Sequence, residues 1–147
     1  MTFTSCVFDD LPRPDYCDLH AVPLPAGADP DPALWARTMF SPDGAPRWVA
    51  AALRARQALV PLLGIERAPH AAFTVSRVVG EEALIAVDDT HLDFRCAVGV
   101  DRERELVRCT TAVRLKNRRG RVYFAPVALA HGPVVEAMLR RTAAALS

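Results

Sequence analysis

The spacing of apolar residues changes once along this chain, from helical to extended. Trp48, Val49, Ala52, Leu53, Arg56, Leu59, Val60 and Leu63 recur at steps of three and four, the period of one helix face. Asp43 to Pro46 supplies a start and Gly64 a stop, so an amphipathic helix, bent near Pro61, is predicted between them. The Asp31-Pro32 pair predicts a shorter helix before it, through Leu34, Trp35 and Met39. An Asp cap accepts orphan backbone N–H groups there, and Pro at the first helical position gives up none. From Ala72 the period falls to two. Five strands fit that alternation, Ala72–Val79, Ala83–Asp88, His91–Val100, Leu106–Lys116 and Arg121–Ala130, and Tyr16–Leu24 alternates enough for a first strand ahead of the helices.

The joints at Gly80-Glu81, Asp88–Thr90, Asp101–Glu105 and Asn117–Gly120 are too short for a parallel crossover, so the sheet is predicted to be an antiparallel meander. Gly132-Pro133 then opens a final helix. Val135, Met138, Leu139, Thr142 and Leu146 form its apolar stripe, while Glu136, Arg140 and Arg141 face away. The order of strand, two short helices, antiparallel strands and terminal helix is an α+β helix-grip arrangement, a curved sheet wrapped around a long C-terminal helix. Its expected consequence is a cavity between helix and sheet.

Composition narrows the class further. A chain of 147 residues suits one core, so residues 1–147 are read as a single domain, with 1–14, which contains LPRP, as an irregular N-terminal extension. Eighteen Lys and Arg against 17 Asp and Glu leave a net charge of +1, no global electrostatic case for nucleic acid or an anionic membrane. The local exception, Lys116, Arg118, Arg119 and Arg121, surrounds Asn117 and Gly120 and is read as a solvated hairpin turn. Apolar residues are 51% of the chain, but charge interrupts them, and no membrane span is expected. The opening MTFTSCVFDDLPRPDY has no basic region before an apolar one, so a cytoplasmic location is expected. Cys6, Cys17, Cys96 and Cys109 have no metal-knuckle spacing and are expected to be free thiols, mostly buried.

Candidate chemistry concentrates in DDTHLDFRCAVGV, Asp88 to Val100. Asp89, His91, Asp93 and Arg95 share one face of the predicted strand, and Leu92, Phe94, Cys96, Val98 and Val100 the other. A two-residue hairpin loop would set Cys96 opposite Cys109, Leu92 opposite Val113 and His91 opposite Arg114. The polar face is either an ion-pair ladder in solvent or a site in which a carboxylate orients His91 for proton transfer while Arg95 holds a carboxylate or enolate. His131, ahead of the last helix, and the Tyr123 phenol complete the catalytic candidates. Pocket-wall candidates are Trp35, Trp48, Phe94, Tyr123, Leu129 and Met138. His91, Asp93 and His131 have no known metal-ligand spacing, so no metal is expected. No nucleophile elbow, phosphate loop or dinucleotide fingerprint is present, and no cofactor is expected.

DDTHLDFR at Asp88–Arg95, VRLKNRRGRVYF at Val113–Phe124 and LAHGPVVEAMLRR at Leu129–Arg141 resemble the family called domain of unknown function 2867, from about Tyr16 onward. That family is grouped with the START-like helix-grip superfamily of lipid-binding domains, plant allergens and polyketide cyclases. Where its members tend to carry Pro-Phe before the residue matching His131, this chain has Leu129-Ala130, which leaves a smaller side chain at that end. The resemblance implies a helix-grip protein binding a small apolar or aromatic molecule, polyketide-like compounds included. A cofactor-independent cyclase, isomerase or dehydratase is the alternative, and a homodimer-forming interaction domain the third expectation.

Overall fold

The computed structural model describes residues 4–64 and 73–147. Five strands form one open sheet in the order β1-β5-β4-β3-β2, with β1 at Tyr16–Pro23, β2 at Val75–Val79, β3 at Glu82–Asp88, β4 at Leu92–Asp101 and β5 at Leu106–Leu115. Every neighbouring pair is antiparallel. The last four strands form the predicted meander, and β1 returns to pair with β5. The expected start of the second strand at Ala72 lies outside the described residues.

Short helices follow β1 as expected. In α2, Pro32–Met39, the Asp31 side chain accepts the Ala33 backbone N–H at 2.9 Å. Next come α3, Arg47–Leu59, and a 3-10 turn, Val60–Leu63. The longest element, α4, runs from Arg118 to Ala145. On one face of the sheet, α2 and the C-terminal half of α4 pack over Ile85, Cys96, Val98, Val107 and Cys109. Trp35, Met39 and Leu139 fill the space between. Trp35 has no exposed surface, and its indole N–H donates to the Asp29 carbonyl at 2.7 Å, so burying the ring strands no donor.

The predicted sixth strand does not exist: Arg121–Ala130 is helical and belongs to α4, which opens before Gly132-Pro133 rather than at it. What reads as a hairpin turn is a helix cap. Asn117 is extended, and its side-chain oxygen accepts the Gly120 backbone N–H at 2.9 Å, so the basic cluster stands at the start of a helix. Pro126 and Pro133 each lack a helical N–H, but Phe124, Ala128, His131, Val135, Met138 and Thr142 recur at steps of three and four along one inward face. Gly120 is buried where a Cβ would strike the His91 carbonyl oxygen, which also accepts the Lys116 N–H. Gly120→Ala is therefore expected to cost about 1–3 kcal/mol, read as a lower midpoint in urea.

Three further readings are corrected. The β4–β5 loop holds four residues, Arg102 to Glu105, so Cys96 pairs with Thr111, Asp93 with Arg114, Arg95 with Ala112 and Leu92 with Leu115. The Cys96 and Cys109 sulfurs still meet diagonally at 3.3 Å. The N-terminal segment is not wholly irregular: α1, Val7–Asp10, lays Cys6, Val7 and Leu11 on the second sheet face against Leu84, Ala97 and Ala112. The predicted inward stripe of α3 is largely outward. Val49 alone is buried among its described side chains, and Trp48, Ala52, Leu53 and Leu59 are exposed. Separately, α4 is long and apolar enough to cross a membrane by length and composition alone, and its C-terminal half is packed on the sheet.

Candidate functional site

Strand β1 alternates half-buried and exposed positions, and Tyr16, Asp18 and His20 lie on the face that meets α4. One oxygen of Asp18, Oδ2, is approached by three groups. Tyr16 Oη donates to it at 2.7 Å, His131 Nδ1 from α4 lies at 2.8 Å, and His20 Nε2 at 3.2 Å. The Tyr16 ring stands edge-on to Phe124 at 5.1 Å and to His131 at 5.9 Å, so the phenol is wedged between strand and helix. The other oxygen, Asp18 Oδ1, is buried and accepts no hydrogen bond. Thr111 is the cross-strand neighbour of Asp18, and its buried hydroxyl faces the Cys96 thiol on its other side.

Burial by itself raises the Asp18 carboxyl, but hydrogen bonds from His131 and Tyr16, and the charges of His131 and His20, outweigh it and hold Asp18 below the ordinary carboxylate range. The same environment pushes the Tyr16 phenol up, first through burial and then through the adjacent Asp18 carboxylate. Because the folded value of Asp18 is depressed, its contribution to stability is complete above the unfolded carboxylate range, near ~4, and is lost as pH falls through the folded value. Asp18→Asn should therefore flatten the acid limb of stability against pH relative to the parent, measured by chemical denaturation across that window.

Among the predicted catalytic residues, His131 joins this cluster and the others do not. His91 precedes β4 and meets the Asn117 amide with Nδ1 at 3.0–3.2 Å, at the start of α4 and roughly 20 Å by helical rise from His131 at its middle. Asp93 pairs with Lys116 at 2.7 Å. Arg95 lies on the α1 face, bridging Asp10 and Asp88, each at 2.7 Å. Those bonds lower both carboxyls and outweigh the burial that would otherwise lower the Arg95 guanidinium. Tyr123 receives a hydrogen bond from Arg56, whose guanidinium lies 5.2 Å over its ring.

The six pocket candidates do not surround one space. Trp35 and Met138 are core, Phe94 packs edge-on to Phe73 at 5.8 Å, Tyr123 is on Arg56, and Trp48 and Leu129 are exposed. Surface hollows occur elsewhere, one along Leu24–Ala28 and Pro30 beside Arg102 and Glu105, another between Thr38–Gly44 and the end of α4. Tyr16, Asp18 and His20 alternate on β1 as regularly as Asp89 to Arg95 do, and that alternation is the one sequence signal for the cluster. Among the described residues no group of three or more His, Cys, Asp or Glu is placed to hold a metal ion.

An open antiparallel sheet with a long C-terminal helix packed on it, and a polar cluster at their seam, defines the α+β class of this domain. Residues 11–138 match the model of the family described as Protein of unknown function (DUF2867), and the chain belongs to that family. No curated protein matches the chain. No solved structure matches it either.

Proposed function

We propose that this is a small-molecule-binding domain of helix-grip type whose polar anchor is the Asp18 cluster at the seam of β1 and α4. The observation that carries the reading is Asp18 Oδ1, buried and without a hydrogen-bond partner among the described residues, with the Thr111 hydroxyl beside it on the neighbouring strand. Buried polar atoms are paired as a rule, so an acceptor of this kind suits a partner the protein itself does not supply. A hydroxyl or enol on an otherwise apolar or aromatic ligand would donate to Oδ1 and share the Thr111 hydroxyl. The START-like resemblance supports the same ligand class, polyketide-like aromatics included.

The second reading is catalytic. Two imidazoles and a phenol converge on one carboxylate, a grouping suited to moving a proton between carbon and oxygen without a cofactor, as in an isomerase, dehydratase or cyclase. Titration calorimetry with hydroxylated naphthoquinones and anthraquinones tests both. Binding weakened at least tenfold by Asp18→Asn and by Thr111→Val supports the site, and Asp18-dependent conversion of the ligand supports the catalytic form. His91→Ala and Asp93→Asn should change affinity by less than about twofold, because both side chains are tied to Asn117 and Lys116 away from the cluster. Affinity untouched by the Asp18 and Thr111 changes would reduce the cluster to a clamp between strand and helix.

A further inference from the structure

Trp48, Ala52, Ala55 and Leu59 recur along α3 at steps of four, three and four, which makes one helical stripe, and all four are exposed. Arg47 and Arg54 flank that stripe and are exposed as well. The first half of α4 repeats the arrangement: Val122, Ala125, Leu129 and Pro133 are exposed, with Arg118, Arg119 and Arg121 at its start. Leu129 is 85% exposed, and only 22% of the most apolar stretch of α4 is buried. The two helices are neighbours. Arg56 of α3 bonds Tyr123 of α4, and a Cβ at Gly64 would lie 2.9 Å from the Arg119 guanidinium.

A net charge of +1 conceals how these segments are charged. Residues 47–63 and 118–135 hold six arginines, Arg47, Arg54, Arg56, Arg118, Arg119 and Arg121, and no Asp or Glu. A second copy of the chain would bring six more arginines against them, and like charges oppose that contact. Apolar stripes carrying a Trp and bordered by arginine are the pattern of helices that lie in a lipid interface with their apolar face at the acyl boundary.

We infer that α3 and the first half of α4 form a docking face for an anionic lipid surface. The full chain should float with vesicles of phosphatidylcholine containing phosphatidylglycerol, bind phosphatidylcholine alone far more weakly, and be released by salt. Trp48 emission should shift to the blue on binding, and Trp48→Phe should abolish the shift. Arg54→Ala and Arg118→Ala should each weaken partitioning about fivefold, and Leu59→Glu with Leu129→Glu should abolish it while circular dichroism stays that of the parent. Equal binding to both vesicle types, or none, would overturn the inference. So would a concentration-dependent dimer in sedimentation that buries Trp48 without lipid.

Discussion

Trp35→Ala is expected to lower the unfolding free energy by about 3–5 kcal/mol, whereas Trp48→Ala should change it by no more than about 0.5 kcal/mol. Trp35 is fully buried on the inner face of α2, its ring packed in the main core and its N–H satisfied by Asp29. Truncation leaves a ring-sized void in the core that holds Met39, while the exposed Asp29 carbonyl passes to water. Trp48 is 53% exposed, and its removal opens no cavity. A domain of this size has about 5–15 kcal/mol in total, so the first variant should be marginally folded at room temperature. Urea denaturation followed by circular dichroism measures both. Equal losses at the two tryptophans would contradict the outward orientation of α3.

Asp18→Ala is the second large effect, on the order of 3 kcal/mol. The Asp18 carboxylate is the shared partner of Tyr16, His20 and His131, and without it three polar groups at the seam of β1 and α4 lose their common acceptor. Asp18→Asn should recover part of the loss, because an amide oxygen still accepts but carries no charge. The gap between parent and Asp18→Ala should narrow as pH falls through the folded value of Asp18, where the parent loses the same charge. Gap and pH dependence are read together from denaturation curves at several pH values.

Most of the sheet was legible because period two over four successive strands needs only local alternation and short joints. Legibility failed where one local pattern serves two structures. Asn117-x-x-Gly120 suits a hairpin turn and a helix cap equally, and VYFAPVALA has apolar residues at both periods, so only its packing on β1 selects helix. The expected register differs by two because alternation suits a two-residue loop as well as a four-residue one, while Asp101 pairs with Leu106 across four residues.

The site shows the same boundary. Alternation correctly put Asp93 and Arg95 on one face, but it carries no information on which face α4 covers, and Arg95 lies under α1 with Asp10. Tyr16, Asp18 and His20 have the same alternation on β1. Their meaning depends on His131, which is 113 positions away from Asp18 in sequence and meets it only through the packing of α4. His131 itself was legible only as a polar residue directly before Gly132-Pro133, at the expected entrance of the last helix, whereas it lies within α4.

The most direct test of the account is native mass spectrometry of the purified chain beside its Asp18→Ala and Thr111→Val variants. The account predicts a small organic molecule retained by the parent and lost from both variants, with the released compound carrying a hydroxyl or enol on an apolar or aromatic frame. A parent that is ligand-free and remains so after incubation with hydroxylated aromatic ketones would contradict it.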